Sequence, residues 1–244
     1  MKFFNKHVLN KQSLNNHMLV AATVLMTVLA TGCATQKTFQ LQDSQKKVDL
    51  IATEKYLPVQ TYDENNQLIP YQEKENPYLA QKAQVDKGSV LLFIEAKTAW
   101  RNNDADTAKQ KLGVIIKNDK ELSGPWMMLG DIALVEKDYP QAQKYYEQGL
   151  TINPNNINGY TALAQVQRLQ GQFHHAQNTL AKALALWPDF PEAHYNLSIL
   201  FDVYLNQSAK AKQHLNAYIL LSGDDEESQK WMQQLNEQAL AEGA

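Results

Sequence analysis

Residues 123–156 read SGPWMMLGDIALVEKDYPQAQKYYEQGLTINPNN, and this stretch decides the fold because its pattern recurs along the chain. Its small residue Gly130 has small counterparts at intervals of 34 residues, namely Ala96, Ala164 and Ser198. Further series share the interval: Leu92, Trp126, Tyr160 and His194; Leu129, Leu163 and Leu197; Ala108, Ala142 and Ala176; and Pro154 and Pro188. A fixed period of this length is typical of solenoids, in which each unit buries its apolar face only by stacking on its neighbours.

These positions resemble the tetratricopeptide-repeat signature, W-x2-L-G followed by A-x3-F and then P. The resemblance implies an all-α fold, a right-handed tetratricopeptide α-solenoid of about four helix pairs with a C-terminal capping helix. The predicted units are 89–122, 123–156, 157–190 and 191–224, with the capping helix and tail at 225–244. The first unit departs from the signature at Glu95, and the fourth slips by one residue after Ser198.

Close packing explains why small residues recur at one period. A residue larger than glycine, alanine or serine at Gly130 or its counterparts would push the two helices of a pair apart. Pro154 and Pro188 end the second helices of their units, since proline lacks a backbone donor. In the last segment, Asp224 or Asp225 is a candidate N-cap, and Trp231, Met232 and Leu235 form an apolar stripe that covers the end of the stack.

The N-terminus has the features of a bacterial secretory signal. Met18–Ala30 contains thirteen uncharged residues, fewer than the roughly twenty that a membrane-spanning helix needs. The sequence Ala30-Thr31-Gly32-Cys33 resembles the lipobox, which implies cleavage between Gly32 and Cys33 and lipidation of Cys33. Several acyl chains would anchor the chain firmly. Because Ala34 replaces the aspartate that retains enteric lipoproteins at the inner membrane, we expect an outer-membrane protein facing the periplasm of a Gram-negative cell. The alternative is an uncleaved anchor or a free, buried cysteine.

Residues 33–88 lack a sustained helical period and contain three prolines, so we expect a largely irregular tether. A short helix is predicted around Gln45–Thr53. A small hairpin is predicted from Val59–Tyr62 and Gln67–Tyr71, which flank the turn-forming residues 63–66.

Composition excludes several classes of function. The chain has a net charge of −3, and removal of residues 1–32 leaves 20 basic and 26 acidic side chains, a balance that argues against nucleic-acid binding. The single cysteine rules out metal sites built from several thiolates. His174-His175 suggests either a metal site or, as we favour, a solvated turn. Without a phosphate loop, nucleophile elbow or zinc-helix motif, we expect no catalysis, cofactor or small-molecule substrate.

The concave face of the array is the predicted binding site, formed by the first helix of each pair. The groove positions are Phe93, Lys97, Trp100, Met127, Asp131, Leu134, Thr161, Gln165, Arg168, Tyr195, Ile199 and Asp202. Aromatic side chains and arginine favour a protein or peptide partner. Alternatively, residues such as Trp100, Leu134 and Ile199 only support neighbouring helices. Asp131 would repel the C-terminal carboxylate that some members of the family grip.

The resemblance implies a lipid-anchored scaffold that assembles an envelope machine, with a protein partner in the cell envelope. Similar lipoproteins serve pilus assembly or secretion, and similar repeat proteins accompany TonB-type complexes. A second hypothesis is an adaptor that recruits a peptidoglycan hydrolase or a protease. A third, enzymatic activity in residues 36–88, would require a folded domain there.

Overall fold

A computed structural model describes residues 48–78 and 85–242, with side chains described as far as residue 238. All of these residues lie in one compact unit, Lys46–Ala244. The helices are α1 (Lys87–Arg101), α2 (Ala105–Asn118), α3 (Gly124–Val135), α4 (Tyr139–Ile152), α5 (Ile157–Leu169), α6 (Phe173–Leu186), α7 (Pro191–Ile199), α8 (Ser208–Ser222) and α9 (Glu226–Glu242). Consecutive helices pack in pairs, so the predicted all-α array of four helix pairs with a C-terminal capping helix is confirmed. The predicted signal sequence, Cys33 and the first part of the tether lie outside the described residues.

The repeating small residues lie where the paired helices touch. Ala96 and Ala164 are 0% and 3% exposed on first helices, and Ala108, Ala142 and Ala176 are at most 1% exposed on second helices. A side chain larger than that of alanine would have no free volume to occupy at these positions, because protein interiors are close-packed. The packing that the 34-residue period predicts is therefore present in the structure.

The turn inside each pair repeats with the same period as the core. Asn103, Lys137 and Gly171 each adopt a positive φ, of 62°, 63° and 75° respectively, and they are spaced 34 residues apart. A left-handed residue at this point ends the first helix and reverses the chain. Aspartates at the starts of second helices complete the turn, since Asp104 and Asp138 accept hydrogen bonds from the amides of Thr107 and Gln141.

The fourth pair contains one additional residue, which the structure places in a π-helical turn. Helix α7 continues into this turn at Leu200–Tyr204, where the amide of Leu205 donates to the carbonyl of Leu200, five residues back. The left-handed residue of this pair is consequently Asn206, 35 residues after Gly171. A π turn holds one residue more than an α turn. This explains why the sequence repeat slips after Ser198.

The N-terminal segment is irregular, as predicted, but it packs against the helices. Its strands β1 (Thr61–Tyr62) and β2 (Leu68–Ile69) form the predicted antiparallel hairpin, with Thr61 opposite Ile69. The helix predicted around Gln45–Thr53 is wrong for the described residues 48–53, which are irregular and precede a 3-10 turn at Glu54–Tyr56. The side chain of Asn178 on α6 explains the extended conformation, because it bonds the backbone of Asp49 and Ile51 at 2.8 Å each.

The capping helix α9 begins as predicted, with the side chain of Asp225 accepting a 2.8 Å hydrogen bond from the amide of Ser228. Leu235 is fully buried, and Trp231 and Met232 pack against the cluster of the last two pairs. The apolar stripe therefore covers the end of the array. Within residues 48–78 and 85–242, no helix is both long enough and apolar enough to cross a membrane.

Candidate partner-binding groove

A cavity of about 330 Å³ opens on the first-helix side of the first three pairs, and we refer to it as the groove. Its lining comprises Tyr78, Phe93, Lys97, Trp100, Gly124, Met127, Met128, Asp131, Tyr146, Asn156, Asn158, Gly159 and Ala162. Five of these residues are among the groove positions predicted from the sequence: Phe93, Lys97, Trp100, Met127 and Asp131. Trp100 also packs against the core cluster of the first two pairs, so it lines the cavity and supports its neighbours at the same time.

Asp131 supplies a fixed acidic group to the groove. Its Oδ1 atom accepts a 2.7 Å hydrogen bond from the hydroxyl of Tyr146 on α4. Burial raises the pKa of the Asp131 carboxyl, and the Tyr146 hydrogen bond opposes that shift. Burial, followed by the neighbouring Asp131 charge, raises the pKa of Tyr146. Tyr146 therefore remains a neutral donor and orients the carboxylate of Asp131.

The end of the Met127 side chain packs against two glycines, Gly149 on α4 and Gly159 on α5. A Cβ added to Gly159 would lie 2.9 Å from the methyl group of Met127, and one added to Gly149 would also collide with that methyl. The absence of side chains at Gly149 and Gly159 therefore admits the end of Met127 between α4 and α5. The flexible thioether gives the floor of the groove an adaptable apolar surface.

One wall of the groove comes from outside the helix pairs, which sequence reasoning missed. Tyr78 lines the groove and ends a segment, residues 71–78, that we call the strap. The strap is attached at the turn between α6 and α7, where the buried Asp189 accepts hydrogen bonds from the Tyr71 hydroxyl at 2.7 Å and the Lys74 amide at 2.6 Å. The Trp187 indole donates to the Lys74 carbonyl at 2.7 Å. No repeat-based signal locates Tyr78, because the strap lies before the periodic region.

Comparisons with known proteins agree with this architecture. A family model described as the TT21 fifth ARM repeats domain matches residues 125–234. Two similar solved structures are MamA of Desulfovibrio magneticus RS-1, at a TM-score of 0.55 and 17% identity over 64% of this chain and 88% of that one, and PilF of Pseudomonas aeruginosa, at a TM-score of 0.57 and 16% identity over 64% and 71%. A tetratricopeptide repeat protein from Parabacteroides merdae gives a TM-score of 0.53 and 17% identity over 59% and 57%. A search of curated proteins found no match.

The chain has a tetratricopeptide-like repeat fold. Folds of this kind generally serve as non-catalytic interaction scaffolds, because stacked repeats create extended concave surfaces. In this array the groove opens on the first-helix side of the first three pairs.

Elsewhere in the tetratricopeptide-like array, several predicted groove residues bond within the protein. Thr161 is buried, and its hydroxyl donates to the carbonyl of Asn158 in the same helix at 2.8 Å. Arg168 donates to the Tyr204 hydroxyl at 2.8 Å and lies over its ring. Leu134 packs against the cluster that contains Tyr146. Gln165 is half-buried on α5.

Two predicted groove positions of the fourth pair, Tyr195 and Asp202, contact the capping helix. Asp202 accepts a 2.9 Å hydrogen bond from the Trp231 indole. Tyr195 packs edge-on against Trp231, with ring centroids 5.8 Å apart. Ile199 is half-buried at the end of α7. Tyr195 and Asp202 reach Trp231 because α9 covers the end of the last pair, where it packs mainly on α8. The groove is therefore concentrated at the other end of the array.

Two buried histidines link the fourth pair to the N-terminal segment. The Nδ1 atoms of His194 and His214 lie 2.9 Å apart, His194 Nε2 contacts the Pro188 carbonyl at 2.8 Å, and His214 Nε2 contacts the Thr53 hydroxyl at 2.8 Å. Because a carbonyl only accepts, His194 donates from Nε2, His214 donates from Nδ1, and Thr53 donates to His214. The prediction that His194 is structural is confirmed.

His174 and His175 lie in the first turn of α6, and the part of the chain that the structure describes contains no group of three or more metal-binding side chains.

Proposed function

We propose that this protein is a lipid-anchored scaffold that faces the periplasm and holds a protein partner in its groove during assembly of an envelope machine. The observation that carries the proposal is the groove itself, in which residues from three helix pairs surround one cavity. The envelope machines considered are a pilus or secretion system and a TonB-type complex. An adaptor that recruits a peptidoglycan hydrolase or protease uses the same groove and is the alternative.

The side chains of the groove support a protein partner because they combine apolar area with polar groups that fix orientation. Phe93, Trp100 and Met127 supply aromatic and thioether surface, while Lys97 and Asp131 supply one charge of each sign. Interfaces are enriched in aromatic residues and methionine at their centres. Large aromatic side chains in pockets are also the usual sites of strong binding.

The docked N-terminal segment limits how far the groove can stand from a lipid on Cys33. Asn178, His214 and Lys210 hold residues 49–54 against α6 and α8. Only residues 34–48 separate Cys33 from the docked segment, and fifteen residues reach at most about 54 Å when fully extended. The proposed scaffold therefore works within that distance of the membrane, measured from its third and fourth pairs.

Photo-crosslinking in intact cells tests the proposed partner site. One variant carries a photoreactive residue in place of Lys97, which lines the groove. The matched control carries the same photoreactive residue in place of Lys144, which is exposed on α4. We expect the Lys97 position to crosslink a component of a pilus, secretion or TonB-type system, and the Lys144 position to give no such product. Recovery of a peptidoglycan hydrolase or protease at Lys97 would select the adaptor alternative. Equal products at both positions would refute the groove as the binding site.

The membrane anchor is tested separately by Cys33→Ser. Without a thiol to carry the lipid, we expect the protein to move from the membrane fraction to the soluble fraction after cell lysis. A variant with serine in place of Thr35 keeps the thiol and should remain with the membrane. Continued membrane association of the Cys33→Ser protein would contradict the lipoprotein assignment.

A further inference from the structure

The apolar part of the groove defines one half of its ligand. Phe93, Trp100 and Met127 surround a space of about 330 Å³. An open space of this size accepts a large side chain. Such a lining releases most free energy when it buries an apolar group.

The charged part of the groove defines the other half of its ligand. Asp131 is held in one orientation by Tyr146, whose hydroxyl lies 2.7 Å from its Oδ1 atom. A carboxylate in a largely apolar cavity gains most from a cationic partner, because the low local dielectric strengthens the attraction. A second carboxylate in the same cavity would be repelled. The fixed charge therefore favours a basic group.

Lys97 does not reverse this preference. Among the described residues, no ion pair joins Lys97 to Asp131, so the two charges are not already neutralised by each other. A lysine ammonium is carried on a flexible stem and can move towards water as a cationic ligand approaches. Asp131 has a short side chain with a hydrogen-bonded position and cannot withdraw. Because Asp131 moves less than Lys97, the charge of Asp131 determines that the groove prefers a basic ligand.

Tyr78 connects the groove to the strap. It lines the same cavity as Asp131, while its segment is fixed at Asp189 by the Tyr71 hydroxyl and the Lys74 amide. Asp189 is fully buried and uses both carboxylate oxygens for these bonds. The position of the Tyr78 wall therefore depends on attachment of the strap some distance away along the array.

Resting on the proposed function of the groove, we propose that its ligand is a peptide segment in which a large apolar residue is next to a lysine or arginine. The apolar side chain enters between Trp100 and Met127, the basic group pairs with Asp131, and Tyr78 closes one side. The strap is thus part of the recognition site.

Selection from a randomised display library of seven-residue peptides tests this ligand chemistry. We expect the wild-type protein to enrich peptides with a large apolar residue adjacent to lysine or arginine. The dissociation constant of the synthesised consensus peptide is then measured by isothermal titration with variants of the full chain. Asp131→Asn keeps an oxygen for the Tyr146 hydrogen bond but loses the charge, so we expect roughly tenfold weaker binding.

Two further variants sharpen the assignment. Tyr78→Ala should weaken binding roughly three- to tenfold by removing an aromatic contact. Lys97→Met keeps the aliphatic stem and removes a positive charge from the groove, so the affinity for the basic peptide should rise. Melting temperatures within a few degrees of wild type show that each variant is folded.

The outcomes separate the ligand chemistry from the binding site. The proposed ligand is wrong if the consensus lacks a basic residue or if Asp131→Asn binds the peptide as tightly as wild type. If Tyr78→Ala still weakens binding in that case, the groove is still supported as the partner site. A consensus peptide that binds all three variants as tightly as wild type overturns both the ligand and the groove. A selection that enriches no peptide overturns the proposed ligand.

Discussion

Substitution of Gly130 by alanine should destabilise the array, although alanine is the better helix former. Gly130 lies on α3, facing Tyr146 on α4, and an added Cβ would lie 2.6 Å from Cδ1 and 2.8 Å from Cζ of the tyrosine ring. Tyr146 is 1% exposed, so the ring has no room to retreat. Its hydroxyl is also bonded to Asp131, and movement of the ring would break that hydrogen bond.

The expected magnitude follows from opposing contributions. Overpacking costs about 1–3 kcal/mol, and loss of a hydrogen bond to a charged group costs about 1.5 kcal/mol or more. Alanine in place of glycine regains about 1 kcal/mol of helix propensity. We therefore expect a net loss of about 2 kcal/mol in the free energy of unfolding.

Gly113→Ala is the matched control, because Gly113 also lies inside a helix, α2, and a Cβ added there meets nothing within 4 Å. The control should gain up to about 1 kcal/mol. At about 2–4 °C per kcal/mol, the two variants should differ in melting temperature by about 6–12 °C, measured by circular dichroism at a helix wavelength. Equal or higher stability of Gly130→Ala would refute the packing of α3 against α4 described here.

Three further predictions concern the ends of the array. Burial lowers the pKa values of His194 and His214 to about 4 and about 3, whereas an unfolded histidine has a pKa of 6.5. Because the unfolded chain then binds more protons, the free energy of unfolding should fall from pH 6.5 towards pH 4, by at most about 1.4 kcal/mol per pH unit for each histidine. His214→Gln should reduce the pH dependence of the urea midpoint across that range. Asp189→Asn removes the charge and leaves one acceptor oxygen where the Tyr71 hydroxyl and the Lys74 amide now use two, so hydrogen exchange in residues 71–78 should accelerate while that of α1 is unchanged. Unchanged exchange in residues 71–78 would contradict the strap attachment. Trp231→Phe removes the hydrogen bond to Asp202, so α9 should exchange faster and stability should fall by about 1 kcal/mol; unchanged exchange in α9 would contradict this bond.

The positions on the first helices show which groove residues could be predicted from the sequence and which could not. Phe93, Lys97, Trp100, Met127 and Asp131 were predicted by counting along the repeat, and the structure brings them to one cavity. The same counting placed Tyr195 and Asp202 in the groove, whereas these two side chains contact Trp231 of the capping helix. A periodic pattern assigns equivalent positions to every unit, but the last unit has a different neighbour.

The sequence by itself determined the repeat architecture, because each helix pair is a local structure whose small residues, turns and prolines lie within 34 residues of one another. Only the tertiary structure decided that Tyr78 walls the groove, that Asp189 holds the strap and that Thr53 meets His214. The contacts of Asp189 and His214 each join a residue of the repeat to one that precedes it by more than 100 positions. They depend on how an irregular segment packs across several helices, and side-chain hydrogen bonds of that kind leave no periodicity in the chain.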